Sequence, residues 1–351
     1  MAMPEKMQAV VYGGPGVKSL KTVATPKVLQ PTDAIVKIVK TTICGTDLHI
    51  LKGDVPAVTK ERILGHEGVG IVEQVGSGVT RFKKGDRVLI SCVSACGKCD
   101  YCKKQLYSHC EDGGWILGHL IDGTQAEYVR TPHADNSLYH IPDGTDEEAL
   151  VMLSDILPTG FEIGVLYGAV QPGDTVAIIG AGPIGMAALL TAQFFSPARL
   201  IMVDVDDSRL AMAKTFGATD TINSATQDAV AELMAMTKDG IDVVMEAVGI
   251  AATFDICQNV VRPGGHIANI GVHGTSVDLQ LQELWIKNIT LTTGLVNTNT
   301  TAMLMKNVQS GKLKPAELIT HRFAFNDFMR AYEVFGNASK EKALKVIIDN
   351  S

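Results

Sequence analysis

Residues 95–110 read ACGKCDYCKKQLYSHC, four cysteines spaced C-x2-C-x2-C-x7-C in an otherwise polar and charged stretch. Four thiolates at Cys96, Cys99, Cys102 and Cys110 complete a tetrahedral zinc shell and leave no position open for water or substrate. The competing chemistry for a C-x2-C pair is a redox dithiol. That reading needs one such pair in a βαβ context, whereas three closely spaced cysteines and a fourth form a whole ligand set. A structural zinc that staples a lobe is therefore expected. The chain has seven cysteines, an odd number, and in a reducing compartment a dense cluster favours metal over disulfides. Two quieter stretches also carry reactive side chains: TTICGTDLHILKG (41–53) and GHEGVGIVEQVGSGV (65–79). A lone buried cysteine or histidine is more often packing than a ligand, so neither stretch decides anything alone.

The second constellation is Gly180-Ala181-Gly182-Pro183-Ile184-Gly185, a G-x-G-x-x-G run. Alone it is weak, because glycine-rich turns are common. Its context strengthens it: VAIIG precedes it, MAALLTAQFF follows, and Asp204 ends RLIMVD nineteen residues after Gly185. Gly180 would make the tight turn, Gly182 would let backbone approach a pyrophosphate, and Gly185 would let helix and strand pack closely. The helix N-terminus favours the negative charge. A carboxylate at Asp204 accepts hydrogen bonds from the ribose hydroxyls and repels a 2′-phosphate, which predicts NAD over NADP. Arg209 nearby reads as a further ribose contact.

These residues need a scaffold. At 351 residues and 46% hydrophobic, the chain suits two domains with ample cores. A net charge of −7 with 31 dispersed Lys and Arg offers no basic face for nucleic acid. The start, MAMPEKMQAVVYGGPG, lacks the features of a secretory signal, so a cytoplasmic location is expected. From Thr175 to Ala198 no side chain is charged, a length that could span a bilayer, but strand, glycine turn and alanine-rich helix in a buried α/β core read better, and no membrane partner is expected. The first half shows short β-rich runs such as AIVKIVK (34–40) and GVGIVEQVG (68–76). From about Gln171, apolar runs alternate with helical stretches, which predicts a doubly wound parallel sheet. The last fifty residues lie beyond that sheet and are expected to return to the first domain. No internal repeat is visible.

Taken together, GHE-x2-G-x5-G-x2-V, CGTDLH, the cysteine loop, the glycine motif with its acid and the length resemble the zinc-containing medium-chain alcohol dehydrogenases over nearly the whole chain. The resemblance implies an α/β protein with a GroES-like β-rich catalytic domain (1–156 and 296–351) and a Rossmann NAD-binding domain (157–295). It implies Cys44 and His66 as catalytic zinc ligands, with Glu67 as a fourth or alternating ligand. Most members place a cysteine after the loop; this chain has LSDILPTG, and Asp155 is taken as the ligand instead. Two zinc ions per chain follow. Thr46 is implied at the reacting oxygen, with His49 passing the proton to water. Asp47 is expected to orient His66. Ile270, Gly271 and Val272 are implied at the nicotinamide, and Cys92, Trp115 and Leu295 at the alcohol. Lys345 resembles a basic residue that meets the pyrophosphate, although a lone strand lysine is usually a solvated edge.

Asp155 and Trp115 look like bacterial secondary-alcohol dehydrogenases, but those usually lack the four cysteines and the acid at Asp204. The implied reaction is reversible hydride transfer between a small primary or secondary alcohol and NAD. Polyol, butanediol or threonine oxidation is the alternative within the family. A non-catalytic binding relative would be expected to show damaged ligands or a broken glycine loop, and neither is present. Bacterial relatives commonly form tetramers, so a homotetramer is expected.

Overall fold

The computed structural model describes residues 3–351. The chain divides into two units, one running to Asp155 and resuming at Asn297–Ser351, the other Ile156–Val296.

In the first unit, β1 (Lys6–Gly14) and β2 (Val17–Ala24) form an antiparallel hairpin. The central strand of the larger sheet is β3 (Ala34–Thr42), paired at both edges, whose run AIVKIVKTT is buried along most of its length, with Ala34, Val36 and Ile38 in a core shared with Val72 and Val88. β4 (Gly68–Val75) pairs antiparallel with β3, followed outward by β5 (Arg87–Ile90). β6 (Tyr128–Thr131) also pairs with β3, and β7 (Leu138–His140) pairs with β5.

The second unit holds β8 (Thr175–Ile179), β9 (Arg199–Asp204), β10 (Asp220–Asn223), β11 (Ile241–Glu246), β12 (Val261–Asn269) and β13 (Thr290–Thr293). They form one parallel sheet in the order β10-β9-β8-β11-β12-β13. The chain reverses direction across the sheet between β8 and β11, and open α/β sheets bind ligands at the carboxyl ends of their strands at such a point. Its core includes Ala177, Ile179, Ile201, Val203, Val244 and Ile267. Cys257, buried in a helix, belongs to the same core. The run from Thr175 to Ala198 is strand, turn and the ten-residue helix Pro183–Ala192. Among the described residues no helix is long and apolar enough to cross a membrane. β10 was not visible as an apolar run because, of DTIN, only Ile222 is buried.

The tail rejoins the first unit. β14 (Ile319–Ala324) and β15 (Lys345–Asp349) pair in parallel, and β15 lies antiparallel to β3 with Ile347 opposite Thr42 and Ile348 opposite Thr41. The helix Phe328–Gly336 buries Phe328, Tyr332 and Phe335 against Val10, Ile43, Ile50 and Ile348. Burying a side chain of this size stabilises the unit by about 1.5–3 kcal/mol each, so the tail is anchored as core rather than draped over it. This register sets residues from the end of the chain beside the segment that leads into Cys44.

Candidate active site

The four-cysteine loop folds on itself within the first unit. The sulfurs of Cys96, Cys99, Cys102 and Cys110 all lie within 4.8 Å of one another. Backbone amides turn toward them: Cys96 N donates to Cys110 Sγ at 3.2 Å, Cys99 N to Cys96 Sγ at 3.4 Å, and Cys102 N to Cys99 Sγ at 3.5 Å. Amide donors stabilise thiolates. Hydrogen bonds from the Glu111 and Cys102 backbones hold the Cys99 thiol down at about 6, whereas burial and its sulfur neighbours push Cys102 up to about 12. The four donors fit a closed tetrahedral zinc. His109, beside Cys110, is exposed to solvent. All seven cysteines are free thiols.

A second cluster draws on three distant segments. Cys44 follows β3 and precedes the helix α1 (Gly45–Lys52); His66 sits just before β4; Asp155 follows the helix Glu147–Val151. Gly65 reaches a φ of +93°, and a Cβ there would stand 2.5 Å from Gln125 Cγ, so glycine is what lets His66 turn inward. Asp155 Oδ2 lies 3.3 Å from His66 Nε2 and 3.7 Å from Cys44 Sγ. Zinc bonds of about 2.0–2.3 Å in a tetrahedron separate such donors by roughly 3.3–3.6 Å, so this trio fits the ion and leaves its fourth position open.

The surroundings favour a cation. Glu67, Asp47 and Lys345 are all buried beside the trio. Burial lowers the affinity of His66 for a proton, yet hydrogen bonds to Asp155 and Cys44 outweigh it and hold the imidazole well above its usual range. Burial, reinforced by Glu67, pushes the Cys44 thiol up, and burial also pushes up Asp47. Glu67 Oε1 and Asp47 Oδ1 are buried with no hydrogen-bond partner. A divalent ion held by the trio would offset the negative charge of these buried groups and favour the ionised form of Cys44.

Several expectations take a different form. Lys345 neither meets solvent nor stands as an exposed edge: it is fully buried, and its Nζ pairs with Glu67 Oε2. The reason is the β15 register against β3, which carries Lys345 into the interior. Glu67 also accepts a hydrogen bond from Thr42 Oγ1 and is not one of the trio whose donor atoms converge. Asp47 does not bond His66. Its Oδ2 accepts from Cys44 N at 2.9 Å and from Gln125 Nε2 at 3.0 Å, and Tyr332 in turn donates to Gln125 Oε1 at 2.7 Å. Asp47 thus fixes the backbone of one donor rather than the ring of another. Thr42, Gln125 and Tyr332 carried no sequence signal, and Lys345, expected at the pyrophosphate, instead meets Glu67 from 278 residues away.

Thr46 Oγ1 lies 3.8 Å from Cys44 Sγ, and His49 Nδ1 pairs with Asp54 Oδ2 at 2.8 Å with its ring half exposed. The Trp115 ring meets His66 edge-on with centroids 6.4 Å apart and stacks on His119 at 4.3 Å. Cys92 Sγ lies 3.7 Å from Asp155 Oδ1. Leu295 is partly exposed in the second unit.

In the second unit Gly180 has a φ of +109°, and a Cβ on Gly185 would fall 1.8 Å from Gly180 O, whereas one on Gly182 would meet nothing within 4 Å. Turn, packing and open approach are therefore divided among the three glycines. Asp204 Oδ2 accepts from Ala181 N at 2.6 Å and Oδ1 from Asp206 N at 2.9 Å, so the acid ties the glycine turn to the end of β9. Arg209 stands in the helix that follows. Ile270 is buried, Gly271 is half-buried, and Val272 is exposed just beyond β12. Glu246, unnoticed in the sequence, is fully buried there and accepts from Val248 N, Gly249 N and Thr253 Oγ1.

Residues 30–143 match the model of the alcohol dehydrogenase GroES-like domain, and residues 183–310 that of the zinc-binding dehydrogenases. An alcohol dehydrogenase of Cupriavidus necator is 35% identical over 99% of both chains. The solved zinc-dependent alcohol dehydrogenase 2 from Streptococcus pneumonia is 59% identical, with a TM-score of 0.94 over 98% of this chain and 99% of that one. The alcohol dehydrogenase from Thermus sp. ATN1 is 34% identical, with a TM-score of 0.91 over 98% and 99% of the two chains. The chain belongs to the zinc-containing medium-chain alcohol dehydrogenase family and is an oxidoreductase.

Proposed function

We propose that this protein transfers a hydride reversibly between a small primary or secondary alcohol and NAD, giving the aldehyde or ketone, with two zinc ions per chain. The observation that carries this reading is the convergence of Cys44, His66 and Asp155, three donors of the right type with room for a fourth. Bound zinc supplies Lewis acidity that polarises the alcohol oxygen for loss of its proton. Cys44, His66 and Asp155 hold the ion; a carboxylate donates less charge than the usual thiolate, which leaves a stronger Lewis acid. Thr46, beside Cys44, would hydrogen-bond the substrate hydroxyl and hand its own proton on as it receives that one, through the cofactor ribose to His49, which, anchored by Asp54 at the surface, exchanges it with water. Trp115 and Cys92 wall the alcohol site with apolar surface, which favours simple alcohols over polyols.

In the second unit, the turn at Gly180, Gly182, Pro183, Ile184 and Gly185 receives the pyrophosphate, and Asp204 with Arg209 takes the ribose. Asp204, buried at the end of β9 beside the glycine turn, supports NAD over NADP, since a carboxylate there repels a 2′-phosphate. Ile270, Gly271 and Val272 lie along the nicotinamide. A homotetramer in the cytoplasm completes the reading. It is supported by Leu281, Trp285 and Ile286, 61%, 71% and 69% exposed near β13, an apolar patch suited to a like subunit, and by the free thiols.

The test combines metal analysis with initial rates. About two zinc per chain are expected, and NAD should outpace NADP across a panel of primary alcohols, secondary alcohols, diols and threonine. One zinc per chain, faster turnover with NADP, or best turnover of a diol or threonine would each overturn the corresponding part.

A further inference from the structure

Where the family usually has a thiolate, this chain offers a carboxylate, and a carboxylate has two oxygens. If both faced the metal, the second would occupy the position the alcohol needs. Asp155 Oδ2 faces Cys44 and His66, whereas Oδ1 faces the buried thiol of Cys92 at 3.7 Å. The backbone reinforces the arrangement: Cys92 N donates to Ser154 O at 3.0 Å, and Gly68 N donates to Ser154 Oγ at 3.1 Å. Residue 154 is thereby clamped between the strand end that carries Cys92 and the one that follows His66. Cys92 is only 3% exposed.

We infer that Cys92 is a positioning residue for the metal centre: its S–H donates to Asp155 Oδ1, retires that oxygen from coordination and keeps Asp155 a one-oxygen ligand. This rests on the zinc reading above, and it deepens the earlier role given to Cys92 as pocket wall. The partner of a ligand's second atom orients the ligand, and losing such a partner typically weakens metal affinity by about 10–100-fold.

The test uses the full-length zinc-loaded protein and the variants Cys92→Ser, Cys92→Ala and Cys92→Val, with zinc release to 4-(2-pyridylazo)resorcinol followed by absorbance. The unaltered protein should release its two zinc ions in a fast phase from the open centre and a slow phase from the cysteine loop. Cys92→Ala should quicken the fast phase about tenfold and leave the slow one unchanged, with KM for the alcohol rising more than kcat falls. Cys92→Ser, which keeps a donor, should stay within about threefold of the unaltered protein. If alanine leaves a cavity that prevents folding, Cys92→Val fills the space without a donor and should behave as stated for alanine.

Unchanged release and KM in the alanine or valine variant would sink the inference while leaving the zinc assignment intact. A serine variant as impaired as alanine would also sink it, by showing that sulfur itself is a ligand or a packing group. A single zinc released only in the slow phase, from the cysteine loop, would overturn the metal assignment and this inference with it.

Discussion

The four-cysteine loop and the Cys44, His66, Asp155 trio are both sulfur-containing clusters in one unit, yet they are built in opposite ways. In the loop, all four donors come from residues 96–110, and the same segment's amides hydrogen-bond the sulfurs. In the trio, each donor comes from a different segment, with Cys44 and Asp155 separated by 111 positions. The loop is self-sufficient and closed. The trio depends on neighbours for its geometry and charge, and it stays one ligand short. A cluster closed by its own chain suits a staple, and a cluster assembled by the fold suits chemistry.

That contrast can be broken by experiment. The largest effect is expected from Asp155→Ala, which should lower turnover by at least about 10³-fold, several kcal/mol in the barrier, and reduce zinc from about two to about one per chain. Its melting temperature should hardly move. Steady-state rates, metal analysis and a thermal melt check this together, and an active variant would remove the trio from the mechanism.

Lys345→Met comes next. It leaves Glu67 buried without its cation beside two other acids, at a cost of about 3–5 kcal/mol in denaturant unfolding. Adding Glu67→Gln should recover most of the loss, because neither charge is then left alone; no recovery would mean that Lys345 matters for packing rather than charge.

Cys102→Ser should show the reverse pattern to Asp155→Ala: one zinc lost, a melting temperature lower by roughly 5–10 °C, and a smaller effect on kcat than on stability. Equal damage to kcat would show that the staple and the reactive centre are coupled.

The smallest effect lies at the end of β15. Burial pushes the Asp349 carboxyl up, but Lys40 at 2.8 Å and Ser351 outweigh it and hold the group at about 2. Its folded value lies below the unfolded value of about 3.9, so the folded state binds fewer protons. The stabilisation is therefore present above about pH 4 and is lost as pH falls toward 2. The side chain is 44% exposed, and solvent screening reduces the contribution to under about 1 kcal/mol. Asp349→Asn should lower stability slightly at pH 6 and not at pH 2; equal loss at both would assign the effect to packing.

Much of this was readable as spacing. The cysteine loop and the glycine turn are local, and the β-rich start and alternating second half show in the placement of apolar runs. β10 escaped because an edge strand with one buried side chain has no apolar period. Lys345 was misplaced because a strand lysine is ordinarily solvated, and only a buried acid such as Glu67 makes the interior tolerable. Asp47 was assigned to the wrong partner for a related reason. Three residues from Cys44 on a helix it can reach that residue's amide, and a sequence does not show that Gln125 will occupy its other side.

By itself, then, the sequence determined which donor types were available and closed the one site whose donors are near neighbours, since chain stiffness limits what a few residues can do. Tertiary structure alone decided which distant donors meet, that Asp155 turns one oxygen inward and the other to Cys92, and that a lysine from β15 balances Glu67. The physical reason is register. β15 pairs with β3 at fixed partners, and moving that pairing by one residue would turn Lys345 to the opposite face of the sheet.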